Sequence, residues 1–215
     1  KGGKEMIQDI RPEDIERESF RIIEEEFFAR TGRRPDDFDD REFAILQRVI
    51  HATGDFSLTD SIRFHPQAID RGLAAIRGGR NLYADVAMVA AGIGSKLQSA
   101  FGGRVICRVG DAEVAQRARE TGRTRSETAL EMASGDNIGV VVVGNAPTAL
   151  LAAIALVQRG AFAPDLIVGV PVGFVNAAES KDLLVAAGIP AITILGRRGG
   201  SPIAAAIVNA LLKMA

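Results

Sequence analysis

Two residues on one predicted helix could carry out proton chemistry on an anionic substrate. The chain has two histidines, and one of them, His51, follows Arg48 by three positions near the end of that helix. Histidine delivers or takes up a proton near neutral pH without a large change of environment. An arginine on a neighbouring row of the same face can hold a carboxylate or phosphate. A cationic pair that only complements the helix dipole is the alternative interpretation.

Three loops in the second half of the chain could bind the anionic groups of such a substrate. The loops 144–147, 171–176 and 196–202 each follow a predicted buried strand. Parallel strands end at one edge of a sheet, where ligands of open α/β folds bind. The loops offer backbone N–H groups, helix N-termini and two arginines, Arg197 and Arg198, which favour carboxylates and phosphates. The sequence therefore predicts an anion-binding cleft at this edge.

The elements that must position these residues follow from hydrophobic periodicity. Strands are predicted at 82–85, 104–109, 138–143, 166–170 and 191–195. Helices are predicted at 11–30, 39–52, 66–77, 86–91, 111–120, 124–134, 146–159, 177–187 and 202–212. Continuous apolar strands alternating with helices predict an α/β fold with three layers, α/β/α, and a mainly parallel central sheet. We interpret residues 1–215 as one domain, with a poorly ordered or trimmed start at 1–10.

Composition excludes several classes of function. The net charge of −1 argues against nucleic-acid binding, and no apolar run is long enough to span a membrane. No secretory signal is recognisable. The lone cysteine, Cys107, is predicted to be a buried thiol in a strand, which suits a reducing cytoplasm. No spacing typical of a metal site, a phosphate-binding P-loop, a dinucleotide fingerprint or a serine nucleophile is present, so we predict no metal and no cofactor.

Eight segments resemble one known family, the precorrin-8X methylmutases, and they follow one another in order along nearly the whole chain. The segments are IERESF (15–20), RVIHATG (48–54), DVAMV (85–89), TRS (124–126), GNAPTAL (144–150), PVGFV (171–175), AESK (178–181) and GRRGGS (196–201). Their combination is far more specific than any single motif.

The resemblance implies an isomerase of cobalamin biosynthesis. Members move a methyl group from C-11 to C-12 of precorrin-8 or cobalt-precorrin-8, giving hydrogenobyrinate or cobyrinate. The catalytic histidine of the family matches His51, and its substrate-contacting serine and arginine match Ser19 and Arg48. The family is homodimeric with pockets close to the subunit interface, and hand-off of the product to the next pathway enzyme is a further expectation.

Other substrate-binding candidates carry open alternatives. Arg125 matches an arginine of the family, and Arg197 belongs to one of the predicted anion-binding loops. Asn145, Ser180 and Lys181 either contact the substrate or cap helices. For Ser19 the alternative is a hydroxyl bonded back to its own helix.

The macrocycle also requires an apolar slot, which Phe174, Val175 and Ile203 could line. Two other functions remain possible at this point. One is a non-catalytic tetrapyrrole carrier, and the other is an α/β enzyme of a phosphorylated metabolite that uses the 196–201 loop as its phosphate site.

Overall fold

A six-stranded sheet forms the centre of the computed structural model, which describes residues 11–215 apart from the side chains of residues 97 and 98. The expectation for residues 1–10 lies outside the described residues. The strands are β1 (Ile62–Phe64), β2 (Asn81–Ala84), β3 (Val105–Ile106), β4 (Ile138–Val143), β5 (Leu166–Gly169) and β6 (Ala191–Ile194). Their order across the sheet is β1-β6-β5-β4-β2-β3, and β1 alone is antiparallel to its neighbour.

Helices cover both faces of the sheet. They are α1 (Ile15–Thr31), α2 (Asp40–Thr53), α3 (Ala68–Arg77), α4 (Ala87–Gly92), α5 (Lys96–Phe101), α6 (Ala112–Thr121), α7 (Arg125–Ala133), α8 (Pro147–Gln158), α9 (Ala177–Ala186) and α10 (Ser201–Met214). The core on one face joins the sheet to α2, α3 and α10, whereas the other core joins it to α7, α8 and α9. The predicted three-layer architecture is confirmed.

The central strand β4 shows why these residues form a doubly covered sheet. All six of its residues are buried. Val140 and Val142 enter one core, and Val141 and Val143 enter the other, because successive side chains of a strand point to opposite faces. A continuous β-branched run therefore replaces the apolar–polar alternation of a half-exposed strand.

Two sequence predictions were wrong at the β3 edge. The strand predicted at 104–109 is only two residues long, since its sole partner β2 pairs with it at Leu82 and Tyr83. Cys107 therefore lies beyond the strand and is half-buried rather than buried within it. The short helix α5 and the antiparallel strand β1 were not predicted either.

The sheet brings the ends of its strands and the beginnings of its helices to one edge. The parallel strands β4, β5 and β6 end there, and α8, α9 and α10 begin there. We call this the carboxyl edge, and the opposite side the amino edge. None of the helices within residues 11–215 is long and apolar enough to cross a membrane.

Candidate active site

His51 lies in the last turn of α2 with its side chain exposed. The helix begins at a cap, where Asp39 accepts a hydrogen bond from the backbone N–H of Arg41 at 3.0 Å. It ends at Gly54, whose φ of 67° is the left-handed conformation that glycine adopts without strain. Ile50, next to His51, is 1% exposed and anchors the helix in the core. The backbone of His51 is therefore fixed while its imidazole faces outward.

Phe20 of α1 lies between His51 and Arg48. Its ring meets the imidazole edge-on, with 5.5 Å between the ring centroids. The guanidinium carbon of Arg48 lies 5.1 Å from the same ring centroid, a cation–π distance. Gln47 fixes the helix pair, because its Nε2 donates to the Phe20 carbonyl at 3.0 Å. The sequence analysis did not single out Phe20, although it follows Ser19 in a quoted motif.

Arg48 is already engaged in an ion pair. Its Nη1 lies 3.0 Å from Oε1 of Glu16, and its side chain is only 13% exposed. Glu16 also accepts from Lys213 at 2.5 Å, and this bond, together with Arg48, lowers the pKa of the Glu16 carboxyl below its usual value. A substrate carboxylate at Arg48 would therefore compete with Glu16.

Ser19 is bonded back to its own helix, as its alternative interpretation anticipated. Its hydroxyl donates to the Ile15 carbonyl at 2.8 Å. The half-buried Oγ still has acceptor capacity, so a ligand could donate a hydrogen bond to it.

An ion pair connects the His51 helix with the loops at the strand ends. Arg198 donates from Nη1 to Oδ2 of Asp55 at 2.8 Å and to Oγ of Ser57 at 2.5 Å. Asp55 follows the end of α2, so the 196–200 loop adjoins the turn of helix that carries His51. The hydrogen bond from Ser57 lowers the pKa of the Asp55 carboxyl, and Arg198 contributes to the same shift.

The carboxylate of Asp85, directly after β2, binds the backbone of the loop that follows β4. It accepts three backbone N–H bonds, from Gly144 and Asn145 at 2.9 Å and from Ala146 at 2.7 Å. Chain connections leave β2 and β4 toward opposite faces of the sheet, which makes the crevice between them the topological switch point where ligands often bind. Burial raises the pKa of the Asp85 carboxyl, and the three N–H bonds act in the opposite direction.

This arrangement corrects the expectation for the first loop. Its backbone N–H groups were predicted to be free for an anion, but Asp85 occupies them. The side chain of Asn145 is exposed at this edge, so only that amide is available to a ligand. Asp85 lies in a quoted motif, but its role depends on pairing between strands far apart in sequence.

Ser180 and Lys181 face the interior rather than the cleft. Both side chains are 0% exposed. Ser180 donates to the Ala177 carbonyl at 3.1 Å, and the Nζ of Lys181 donates to the carbonyls of Pro171 at 3.0 Å and Arg198 at 2.7 Å. Neither residue presents an atom for the direct substrate contact that was one of its two predicted roles.

Three predicted binding residues are exposed: Asn145 and Arg197 in loops, and Arg125 as the first residue of α7. The hydroxyl of Thr124 donates to that of Thr148 at 3.1 Å, which brings the start of α7, and Arg125 with it, beside the start of α8. The guanidinium carbon of Arg197 lies 5.4 Å from the Phe174 ring centroid.

The predicted apolar slot is only partly present. Phe174 and Val175 are 84% and 78% exposed, but Ile203 is 4% exposed and belongs to the core. The amino-terminal turn of α10 points Ile203 toward the sheet, away from the two exposed side chains.

Three cavities bear on where a large ligand binds. One of about 620 Å³ lies at the amino edge and is lined by polar residues such as Arg104 and Asn137, none of them predicted for the site. Two adjoin Phe20: one of about 450 Å³ against Glu16, and one of about 240 Å³ against Arg48. The cavity against Arg48 is smaller than the ~300–1,000 Å³ typical of ligand pockets.

Fold and site together are those of an α/β enzyme, with an exposed histidine at the end of α2 and arginines on α2, on α7 and in the 196–200 loop. The family model for precorrin-8X methylmutase matches residues 14–214. The chain belongs to the precorrin-8X methylmutase family, isomerases of cobalamin biosynthesis that catalyse an intramolecular methyl migration.

Individual relatives agree with this assignment. The chain is 45% identical to the precorrin-8X methylmutase of Pseudomonas aeruginosa, covering 96% of this chain and 98% of the relative. It is 41% identical to the cobalt-precorrin-8 methylmutase of Priestia megaterium, covering 94% and 88%. The crystal structure of precorrin-8X methylmutase from Thermus thermophilus superposes with a TM-score of 0.82 at 37% identity, covering 94% and 96%.

Proposed function

We propose that the protein moves a methyl group from C-11 to C-12 of precorrin-8 or cobalt-precorrin-8, with His51 as the acid. The observation that carries this proposal is the exposed imidazole, anchored against Phe20 beside Arg48 at the end of α2. The chain's other histidine, His65, lies beside the start of β6, and its Nδ1 accepts a hydrogen bond from the backbone N–H of Gln67.

His51 acts by withdrawing electron density from the macrocycle. The imidazolium donates a proton or a hydrogen bond to a ring nitrogen or carbon, the bond from C-11 to the methyl group breaks, and the bond to C-12 forms. Substrate and product are isomers, so the proton returns to the imidazole after migration. A positioned acid of this kind contributes about 10²–10⁴-fold to the rate.

Cationic and polar side chains bind the acetate and propionate groups of the substrate. Arg125, Arg197 and the amide of Asn145 do so at the strand ends, while Arg48 does so beside His51. Ser19 joins them when its hydroxyl turns from the Ile15 carbonyl and donates to the substrate. Guanidinium groups suit this task because they bind carboxylates through two parallel hydrogen bonds.

We further propose that a second copy of the chain completes the pocket. Phe174, Val175 and Met88 are between 69% and 84% exposed, which is unusual for large apolar side chains. The cavity beside Arg48 is too small for a corrin macrocycle, so another surface has to enclose the substrate. A cytoplasmic location, which the lone cysteine favours, and transfer of the product to the next enzyme, which the family suggests, remain predictions.

An isomerase assay tests the function directly. Purified protein is incubated separately with precorrin-8 and cobalt-precorrin-8, and the visible spectrum and the product's mass and NMR spectrum are recorded. We expect a spectral change at constant mass, with the methyl resonance moved to C-12, and the preferred substrate identifies the metal requirement. Tight binding of both compounds without any isomerisation would instead identify a tetrapyrrole carrier.

A further inference from the structure

A single buried lysine joins two loops at the carboxyl edge. Nζ of Lys181 donates to the Pro171 carbonyl at 3.0 Å and to the Arg198 carbonyl at 2.7 Å. Pro171 opens the 171–176 loop, and Arg198 lies in the middle of the 196–200 loop. Among residues 11–215, no carboxylate pairs with this ammonium, although the lysine side chain is 0% exposed.

The two loops are in close contact around this lysine. The backbone N–H of Gly173 donates to the Arg197 carbonyl at 3.2 Å, and that of Gly200 donates to the Val170 carbonyl at 2.9 Å. Gly199 lies so close to the other loop that an added Cβ would be 2.7 Å from the Pro171 carbonyl oxygen. The junction therefore has no space for a side chain at position 199.

The loops present two exposed side chains on the outer side of this junction. Phe174 comes from one loop and Arg197 from the other, and the guanidinium carbon lies 5.4 Å from the ring centroid. The distance between Phe174 and Arg197 therefore depends on the distance between the two loops. Lys181 holds the loops together through its hydrogen bonds to one carbonyl in each.

We propose that Lys181 is a positioning residue for substrate binding, which holds the two loops together so that Arg197 and Phe174 bind one carboxylate and the adjoining apolar ring edge of the substrate. The inference rests on the proposed function and extends it to a residue that touches no substrate. Lysine suits this position because its stem reaches from α9 to both carbonyls, and without it the buried bond to the Pro171 carbonyl would be lost.

The positive charge of Lys181 also favours the binding of an anionic substrate at the two loops. Burying an ammonium without a carboxylate partner is costly, and an anionic ligand nearby offsets part of that cost. Charged groups near it are Asp182 on its own helix, and Arg197 and Arg198 on the facing loop, the latter paired with Asp55. Because Asp55 pairs with Arg198, Arg197 is the cationic group on this loop that attracts a carboxylate.

The test is a double-mutant cycle on corrin binding. Cobyrinate is titrated into wild-type protein, Lys181→Met, Arg197→Ala and the double variant, and the dissociation constants are read from visible spectra. We expect each single variant to weaken binding about tenfold, and the double variant to be no more than about twofold weaker than Arg197→Ala. In turnover, Lys181→Met should raise KM and leave kcat within about twofold.

Lys96→Met is the matched control. Lys96 also donates to a backbone carbonyl, that of Leu212 at 2.7 Å, but at the amino edge. This variant should bind cobyrinate as the wild type does. Additive losses in the double variant would overturn the inference, because a merely structural lysine would weaken binding independently of Arg197.

Gly199→Ala tests the same junction without changing Lys181, which matters if Lys181→Met does not fold. The added methyl group pushes the loops apart, so we expect the same tenfold loss and the same dependence on Arg197. Unchanged binding by folded Gly199→Ala would refute the inference. If the wild-type protein bound no cobyrinate at all, the proposed function itself would be refuted.

Discussion

The candidate functional side chains lie in two regions that are held together differently. In the α1–α2 region, His51 and Arg48 are joined by side-chain contacts to Phe20 and Glu16. In the loop region, two buried ionisable groups, Asp85 and Lys181, bind backbone atoms and determine the course of the loops.

The side chains of the first region therefore determine the chemistry of the site, whereas Asp85 and Lys181 determine the backbone course of its loops. A residue of the first region can be exchanged while the backbone stays in place, because α2 is anchored by its apolar face. Exchange of Asp85 or Lys181 instead leaves buried backbone groups without partners, which costs stability and moves the loops. Substitutions in the first region should therefore change turnover or direct substrate contacts without unfolding the protein, whereas those in the second should change stability and the position of the loops.

The largest expected effect is on turnover, in the first region. His51→Asn should lower kcat by about 10²–10⁴-fold, because the acid is lost while the helix is retained. Binding of cobyrinate should change by less than about threefold, since the arginines remain. The spectral isomerase assay and the visible titration measure the two quantities.

His65→Asn is the control, because it alters the chain's other histidine, whose Nδ1 accepts a hydrogen bond from the backbone N–H of Gln67. It should retain wild-type turnover. If His51→Asn kept more than about a tenth of the activity, proton donation by His51 would be excluded.

Asp85→Ala should have the largest effect on folding. The substitution removes the acceptor of the N–H groups of Gly144, Asn145 and Ala146, and leaves those of Gly144 and Ala146 buried without a partner. The free energy of unfolding should fall by roughly 3 kcal/mol or more, as measured by urea denaturation. Asp165→Ala removes a half-exposed partner of Arg80 at the amino edge and should cost only about 1 kcal/mol. Equal losses would contradict the structural role assigned to Asp85.

Lys181 should make stability depend on pH in an unusual direction. Burial lowers the pKa of its ammonium from 10.5 to about 8. Between these values the unfolded chain binds a proton that the folded chain has released, so the free energy of unfolding rises with pH. The contribution is on the order of 2 kcal/mol between pH 8 and pH 10.5.

Urea denaturation of the wild type and Lys181→Met at pH 7.5, 9 and 10 measures this contribution. Subtracting the two series removes groups that titrate in both proteins. We expect the wild type to gain stability relative to the variant as pH rises. A constant difference would mean that the Lys181 ammonium keeps an ordinary pKa.

The sequence predicted the layers of the fold well because continuous apolar runs depend on burial alone. The prediction 138–143 coincides with β4, which is buried on both faces. The prediction 104–109 was too long, because the length of an edge strand depends on its neighbour. β2 pairs with β3 at only two positions, and the local sequence of residues 104–109 does not indicate how many of them find a partner.

Within the site, the sequence identified exposed chemistry better than buried polar roles. Residue type and spacing identified His51 and Arg48 as candidates, the family resemblance supported them, and both side chains contact Phe20 in the structure. Ser180 and Lys181 were harder, since polar side chains are expected on the outer face of a helix. Ser180 and Lys181 share a helical stripe with the apolar residues Ala177 and Leu184, and this spacing could have predicted their burial.

The smallest expected effect concerns the competition for Arg48. Glu16→Gln removes the negative charge that pairs with Arg48 at 3.0 Å, so a substrate carboxylate no longer has to displace it. Binding of cobyrinate should become about two- to fivefold tighter, the range expected for a partly exposed ion pair. Glu26→Gln, which breaks the pair with Arg30 at the other end of α1, should leave binding unchanged. Weaker binding by Glu16→Gln would show the opposite, that Glu16 orients Arg48 toward the substrate instead of withholding it.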